Sequence, residues 1–174
     1  MNTLENALAF ATIAHKGQFR KSEKVIEYIE HPKRVVELLK LAGVTDLDTL
    51  ISAMSHDILE DSNITFEQLE KEFGTKVATI VLECSDDKSL PKEERKLLQI
   101  SHVKNISNEA RLVKLADKID NLGDIAVNSP KGWDRARKVA YFDWSKEVVD
   151  SGLRNINPLL DSLFDEIYKL KDTL

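Results

Sequence analysis

Two histidines and two aspartates, in three separate stretches of the chain, have the side chains best suited to binding a metal ion. They are His31, the adjacent pair His56 and Asp57, and Asp117. Imidazole nitrogen combined with carboxylate oxygen is a common ligand set for divalent metals. A His-Asp dipeptide also arises often by chance, and a helical histidine is more often a hydrogen-bonded structural residue. Residue type and spacing alone therefore favour a metal site and a structural role about equally.

The helix predicted over residues 47–61 places this dipeptide beside a buried surface. Its apolar residues recur at helical spacing and form one stripe, with Asp57 next to Leu50 at the edge of that stripe. A carboxylate in that position carries a large desolvation penalty unless it is paired or bound to a cation. The pattern therefore favours a partner for Asp57 without identifying it.

A second polar cluster lies in the helix predicted over residues 109–124. Leucine, isoleucine and alanine define its core side, and Asp117, Asp120, Asn121 and Asp124 fall together on an adjoining face. Such a cluster can line a cavity where two helices meet. For Asp120 and Asp124 taken alone, we expect the simpler case of a solvated acidic face.

The spacing of apolar residues predicts helices along nearly the whole chain and no convincing strand. We therefore expect an all-α bundle of about eight to ten helices, forming a single domain over residues 1–174. The longest irregular piece, residues 17–30, is rich in charge; loops of this length are often functional, a solvated connector being the alternative. The expected helices are residues 4–13, a segment from Pro32 ended by Gly43, 47–61 capped by Asp46, Thr65 to about Phe73, 77–82, a segment opened by Pro91, 109–125, 133–149 and 158–170.

Charge and composition narrow the partners. The net charge of −5 argues against broad binding to nucleic acid, but a small polyanion needs only local positive charge. No stretch is long and apolar enough for a membrane span, and no secretory signal is visible. A lone cysteine, Cys84, suits a reducing cytoplasm. We expect a cytoplasmic protein with no membrane or nucleic-acid partner; the oligomeric state stays open.

Longer sequence motifs decide between a metal site and a structural role for these histidines and aspartates. The order His31, His56-Asp57, Asp117 is that of the HD-superfamily phosphohydrolases. Together with the surrounding words, the chain resembles the hydrolase domain of RelA/SpoT homologues, most of all the stand-alone small alarmone hydrolases of the metazoan SpoT-homologue type. The resemblance covers nearly the whole chain. The words are HDILED at 56–61, DDKSLPKEER at 86–95, RLVKLADKIDN at 111–121, and Gly-Trp followed by Tyr-Phe-Asp-Trp within 132–144.

The resemblance implies an HD-domain enzyme that uses Mn²⁺ to hydrolyse the 3′-pyrophosphate of (p)ppGpp, the guanosine tetra- or pentaphosphate, to GDP or GTP and pyrophosphate. It also implies that the acids Glu60 and Asp61 orient the attacking water and take its proton. Spacing agrees, because Glu60 follows His56 by four residues and Asp61 follows Asp57 by four. The implied metal ligands are His31, His56, Asp57 and Asp117.

Six further residues are expected to bind substrate: four match substrate-binding positions of that family, whereas Tyr141 and Asn121 lie one helical turn after Arg137 and Asp117. For Lys92 and Arg137, an ordinary surface charge is the alternative. Trp133 and Trp144 are expected to be packing residues, and His102 a surface or structural histidine with no family role. The six positions are Arg20, Lys21, Lys92, Asn121, Arg137 and Tyr141.

The sequence departs from the longer family members in two places, and three other functions stay open. The loop between residues 20 and 31 lacks the usual Gly and Pro, and Asp120 stands where many long enzymes carry His, which could alter substrate preference. The alternatives are a phosphatase for the 2′-phosphate of NADPH, another HD nucleotidase, and a non-catalytic alarmone-binding module. The words at 86–95 and 141–144 favour the alarmone class, and the intact acids argue against a pure binding module.

Overall fold

The protein is an all-α structure whose computed structural model describes residues 2–22 and 24–174. Over these residues the chain forms ten α-helices and a single isolated antiparallel bridge, which confirms the all-α class and the expected number of helices. The helices α1 to α10 are Leu4–Ala14, Glu30–Leu41, Leu47–Ser55, Ile58–Asp61, Phe66–Phe73, Thr75–Cys84, Lys92–His102, Asn108–Val127, Arg135–Gly152 and Pro158–Lys169; 3₁₀ turns at Val103–Asn105 and Leu170–Thr173 follow α7 and α10.

Local sequence sets the helix starts. Asp46 accepts a hydrogen bond from the backbone N–H of Thr49 at 2.9 Å and opens α3. Thr65 and Gln68 bond reciprocally to each other's backbone N–H at the start of α5, which is the predicted capping box. Ser107 caps α8 by accepting the backbone N–H of Ala110 at 3.2 Å. These side chains replace the partners that the first N–H groups of a helix lack.

The prediction of a continuous helix over residues 47–61 is wrong, because the helix is interrupted at His56 and Asp57, between α3 and α4. His56 donates from Nδ1 to the carbonyl of Ala53 at 2.8 Å. In an unbroken helix that carbonyl would accept the backbone N–H four residues later, at Asp57. The imidazole thus bonds the carbonyl that helix continuation would use, and the break lies at the His56-Asp57 dipeptide itself.

Helix α8 runs through the middle of the bundle, packed against α2, α3, α6, α9 and α10. Its side chains Val113, Leu115, Ala116 and Leu122 are fully buried. Within the described residues, no helix combines the length and apolar character that a membrane span requires. Because α8 touches both α2 and α3, a side chain on its surface can meet residues from both.

The segment between α1 and α2 folds back on itself instead of running free over the surface. The backbone N–H of Arg20 donates to the carbonyl of Ile26 at 2.9 Å, and that of Tyr28 donates to the carbonyl of Gln18 at 3.0 Å. These bonds stand in for the missing Gly and Pro turn residues. They direct Arg20 and Tyr28 towards the N-terminal end of α2, where His31 lies.

Candidate metal centre and substrate cavity

Candidate ligand atoms from three segments lie close together: those of His31, His56 and Asp117 are all within 4.8 Å of one another, and Asp57 Oδ2 is 3.6 Å from His31 Nε2. His31 lies in the first turn of α2, His56 and Asp57 lie at the break between α3 and α4, and Asp117 lies in α8. The two Nε2 atoms are 3.2 Å apart. Asp117 Oδ1 is 3.2 Å from His31 Nε2, and Asp57 Oδ2 is 3.1 Å from His56 Nε2. Ligands about 2.1 Å from one cation stand roughly 3 Å apart when they are adjacent, so the spacing fits a shared ion.

The hydrogen bonds of the two imidazoles leave both Nε2 atoms available as ligands. His56 donates from Nδ1 to a backbone carbonyl, which can only accept. His31 contacts Asp120 Oδ2 through Nδ1 at 2.6 Å. Burial raises the pKa of the Asp120 carboxyl, but hydrogen bonds from His31 and Arg34 outweigh it and hold that pKa below its ordinary value. Asp120 is therefore an ionised acceptor, and each Nδ1 carries the proton.

In the neutral form of each imidazole the proton is on Nδ1, so both Nε2 lone pairs face the two carboxylates at the centre, and this arrangement needs positive charge, a proton or a cation, between the atoms. The electrostatic potential at this point is negative and attracts positive charge, as the pKa of His56 indicates. Burial lowers the pKa of the His56 imidazole, yet Asp57 and Asp117 outweigh burial and raise that pKa well above its usual value. Two imidazoles and two carboxylates, all directed at a point that attracts positive charge, fit a divalent cation.

The two acids expected to handle the water follow directly in α4. Asp61 accepts a bond from the Nζ of Lys88, and its backbone carbonyl accepts one from Gln18 Nε2 at 2.6 Å. Glu60 accepts the backbone N–H of Asp86 at 3.2 Å. Burial, together with the charges of Asp86 and Asp57, raises the pKa of Glu60 to about 7. A carboxyl with that pKa can exchange a proton near neutral pH.

Tyr28 connects a metal-ligand candidate to one of these acids. Its hydroxyl is 2.7 Å from Asp57 Oδ2 and 3.2 Å from Asp61 Oδ2. Burial and the Asp57 charge raise the pKa of Tyr28, so the hydroxyl stays protonated and donates. Neither Tyr28 nor Lys88 was predicted from the sequence to have a role. The three-residue spacing from Tyr28 to His31 was an available signal for Tyr28. Lys88 lies in the family motif at 86–95, but its place in that motif does not reveal that a loop brings it to Asp61.

A cavity of about 590 Å³ opens beside the centre, and all six expected substrate-binding residues line it. Asp61 and Tyr28 also line it, so the cavity reaches the acids of the centre. Within the described part of the chain its lining carries four cationic side chains against two acidic ones, Asp61 and Asp124. The cations are Arg20, Lys21, Lys92 and Arg137.

Two of the six residues are already connected to the metal-ligand candidates. Arg20 donates from Nη2 to Asn121 Oδ1 at 2.6 Å, and Asn121 in turn donates to Asp117 Oδ1. On the other wall, partial burial and the nearby Lys96 and Arg137 lower the pKa of Lys92. A lowered lysine pKa beside other cations indicates a positive potential, which suits an anionic ligand.

The tryptophans and His102 lie in different surroundings. Trp133 packs 5.7 Å from Tyr141, as expected, but it also lines the cavity and lies 4.4 Å below the Arg137 guanidinium. Trp144 donates from Nε1 to the Lys96 carbonyl at 3.2 Å and packs outside the cavity lining. His102 is exposed at the end of α7, away from the centre.

The expectation of a solvated acidic face for Asp120 and Asp124 is wrong. Their side chains are only 7% and 14% exposed. Asp120 pairs with His31 and Arg34, and Asp124 pairs with Arg34 and Arg20. Both cations come from outside α8, so no pattern within α8 could reveal them.

The chain is similar to known proteins over nearly its full length. A family model described as HD domain matches residues 7–141. The guanosine-3′,5′-bis(diphosphate) 3′-pyrophosphohydrolase MESH1 of Drosophila melanogaster is 44% identical over 168 residues, 96% of this chain and 93% of that protein. Its Homo sapiens namesake is 41% identical over 167 residues, 95% of this chain and 93% of that protein.

A solved structure agrees with these relatives. It belongs to work on a metazoan orthologue of SpoT that hydrolyses ppGpp and plays a role in starvation responses. The TM-score is 0.93 at 42% identity, covering 98% of this chain and 96% of that chain. The resemblance drawn from the sequence words is confirmed.

Proposed function

The chain belongs to the HD-domain family, and we propose that it hydrolyses the 3′-pyrophosphate of guanosine tetra- and pentaphosphate, releasing pyrophosphate and GDP or GTP. One observation carries the proposal: the clustered ligand atoms of His31, His56 and Asp117, with Asp57 beside them, adjoin a cavity with four cations on its walls. The relatives named above, similar over nearly the whole chain, carry the name of this activity. We propose that residues 1–174 act as one domain.

We propose Mn²⁺ as the resident ion, held by His31, His56, Asp57 and Asp117. Carboxylates suit Mn²⁺, and imidazole suits first-row transition metals generally. A divalent cation bound there lowers the pKa of water and offsets charge on the phosphoryl oxygens. We propose a reducing cytoplasm as the chain's compartment, because the single cysteine, Cys84, is free.

The chain's own acids handle the proton. In the proposed reaction a water oxygen bonds to the phosphorus attached to the ribose 3′-oxygen, that O–P bond breaks, and the 3′-oxygen leaves with the proton that the acids take from the water. Asp61 orients the water and takes its proton, because it lines the cavity and is held by Tyr28, Gln18 and Lys88. Glu60, whose pKa is raised to about 7, shares this proton handling.

The cavity cations bind the substrate. We assign Arg20, Lys21, Lys92 and Arg137 to its phosphates, because they dominate the charge on the cavity wall. The Arg20 guanidinium can also stack on a purine, since a guanidinium is planar. Asn121 lies next to Asp117 and is assigned to the ribose or the 3′-phosphate, and Tyr141 is assigned to the nucleotide through its ring or hydroxyl.

The test uses purified protein with Mn²⁺ and a panel of ppGpp, pppGpp, NADPH and deoxynucleoside monophosphates, with pyrophosphate and orthophosphate measured separately. We expect pyrophosphate from ppGpp and pppGpp. Orthophosphate from NADPH or the monophosphates in its place would replace the proposal with one of the other HD phosphohydrolase activities. Binding of ppGpp without any turnover would indicate the alarmone-binding module.

Variants of the two acids test the mechanism. We expect Asp61→Asn and Glu60→Gln to lower kcat by about 10²- to 10⁴-fold while Mn²⁺ still binds, because general acid–base groups contribute about that much. Asp172→Asn and Glu93→Gln remove the same charges from exposed sites and serve as controls. An unchanged kcat in both acid variants would remove these residues from the mechanism.

A further inference from the structure

A charged cluster joins α2 to α8 on the side of His31 that faces away from the other three ligand candidates. On α2, His31 and Arg34 are three residues apart; on α8, Asp120 and Asp124 are four apart. Such spacings place each pair on one helix face. The two faces meet, and their hydrogen bonds interlock.

Asp120 is bound on both sides. One of its oxygens, Oδ2, is 2.6 Å from His31 Nδ1. Arg34 donates a hydrogen bond to each oxygen, from Nε to Oδ1 at 2.6 Å and from Nη2 to Oδ2 at 2.9 Å. A two-point guanidinium–carboxylate pair fixes direction as well as distance. The pair with Arg34 therefore orients the carboxylate towards the imidazole.

The direction of Asp120 separates it from the substrate cavity. Its side chain is 7% exposed and does not line that cavity, whereas Asn121 and Asp124 on the same helix do. The idea that an aspartate at this position alters substrate preference therefore finds no support in direct contact. What Asp120 contacts is the side of the His31 ring opposite the ligand atom.

We propose that Asp120, held by Arg34, is a positioning residue that fixes the tautomer and ring orientation of His31 and so sets the affinity of the centre for its cation. The physical basis is general: a carboxylate on the second ring nitrogen keeps the proton there and increases the basicity of the ligating nitrogen. The inference rests on the proposed function only in taking the four ligand candidates as a cation site.

Arg34 connects the same cluster to the substrate side. Its Nη2 also bonds Asp124 Oδ2 at 3.0 Å, and that oxygen accepts Arg20 Nε at 3.0 Å. Two arginines thus neutralise two aspartates that would otherwise repel each other one turn apart on α8. Arg34 acts on the centre through Asp120, so removing both residues should cost no more cation affinity than removing Asp120 alone.

The test is a titration of the full-length, chelator-stripped protein with MnCl₂, followed by calorimetry. We expect Asp120→Asn and Asp120→Ala to weaken Mn²⁺ binding about 10- to 100-fold, as losses of such carboxylates do. Arg34→Met should weaken it in the same direction. The double variant Asp120→Asn/Arg34→Met should match Asp120→Asn alone, because the two act in series.

Lys33→Met provides the matched control, since Lys33 pairs with Glu30 on the outer face of α2 at 2.7 Å. It should leave Mn²⁺ affinity unchanged. A merely structural clasp between α2 and α8 would lower the melting temperature of the stripped variants and leave their Mn²⁺ affinity within twofold of the parent; that result overturns the proposal. Asp120→Asn keeps the side-chain volume, so it serves if the alanine variant fails to fold.

A kinetic readout separates this inference from the proposed function. At saturating Mn²⁺, Asp120→Asn should recover a kcat within a few-fold of the parent, because the variant has lost only affinity for the cation. A kcat that stays low with the cation fully bound overturns the positioning role as stated. If the parent protein binds Mn²⁺ but releases no pyrophosphate from ppGpp, the proposed function fails while the affinities still decide the role of Asp120.

Discussion

At the scale of single residues, the chemistry of each imidazole depends on the hydrogen-bond partner of the nitrogen that faces away from the candidate metal centre. His31 and His56 direct Nε2 at the centre because their Nδ1 atoms are engaged by Asp120 and by a backbone carbonyl. Tyr28 similarly holds Asp57 and Asp61 in a fixed relation. These supporting groups are where residue-type reasoning fell short, since Asp120 was expected in solvent and Tyr28 had no role.

The Tyr28 hydroxyl is the first of these to test. We expect Tyr28→Phe to lower kcat about 10- to 100-fold, because a hydrogen bond to a charged group contributes about 1.5–3 kcal/mol. Steady-state pyrophosphate release at saturating Mn²⁺ measures the effect. Tyr168→Phe removes an equivalent hydroxyl that bonds Asp143 at the surface and should leave kcat unchanged. Equal kcat in both variants would rule out a functional role for the Tyr28 hydroxyl.

Glu60 makes a pH-dependent contribution to stability. Its pKa rises from 4.5 in the unfolded chain to about 7 when folded. Below pH 4.5 the carboxyl is protonated in both states; as pH rises towards 7, the unfolded state ionises first and the folded state loses relative stability. Glu60→Gln should therefore increase the free energy of unfolding of the chelator-stripped protein by about 3 kcal/mol at pH 8, with little effect near pH 4.5.

Urea unfolding across this pH range measures the difference between variant and parent. Glu93→Gln, at an 80% exposed side chain on α7, is the control. A difference that stays constant from pH 4.5 to 8 would contradict the raised pKa.

At the scale of elements, the interruption of one helix and the continuity of another create the site. The break between α3 and α4 orients His56 and Asp57 towards α2, whereas α8 stays regular for 20 residues and presents Asp117 and Asn121 on one face. The periodicity of α8 was readable because its apolar stripe is unbroken. The break was not, because a side chain competing for a backbone carbonyl leaves no trace in apolar spacing.

The close approach of α9 to the 3₁₀ turn after α7 predicts the effect of an alanine at Gly152 on stability, and Gly123 in α8 provides the control. A Cβ at Gly152, the last residue of α9, would lie 2.8 Å from the Cα and backbone N of Lys104 in the 3₁₀ turn after α7. Gly152→Ala should therefore destabilise the protein by about 1–3 kcal/mol, as overpacking does. At Gly123 in α8, the nearest atom to an added Cβ is 3.9 Å away, and Gly123→Ala should stabilise by up to about 1 kcal/mol.

Denaturant unfolding of the two alanine variants decides the point. The expected result is opposite signs for one and the same substitution. Equal effects in both would mean that α9 does not approach the 3₁₀ turn closely enough to exclude a methyl group.

At the scale of the whole molecule, the net charge of the chain is opposite in sign to the charge on the cavity wall. The chain carries a net charge of −5, yet the cavity wall concentrates four cations against two acids within the described residues. The centre takes ligand candidates from α2, the α3–α4 break and α8, so a bound cation connects segments up to 86 positions apart, from His31 to Asp117. Cation binding should therefore stabilise the whole fold.

We expect Mn²⁺ at one hundred times its dissociation constant to stabilise the folded protein by about 2.7 kcal/mol, raising the melting temperature by about 5–10 °C for a chain of this size. Differential scanning fluorimetry with and without chelator measures the shift. His56→Ala should abolish it, and His102→Ala, at an exposed histidine, should retain it. An undiminished shift in His56→Ala would place the ion elsewhere.

The sequence by itself determined the all-α class, the helix starts and the ligand candidates, because capping, apolar periodicity and motif words are local properties that a chain carries along its length. The tertiary structure alone decided that Asp120 and Asp124 are buried partners, that Lys88 meets Asp61, and that Arg20 reaches α8. The physical reason is that the environment of a charge depends on groups contributed by distant segments. Burial, pairing and pKa follow only once α2 and α8 are packed together.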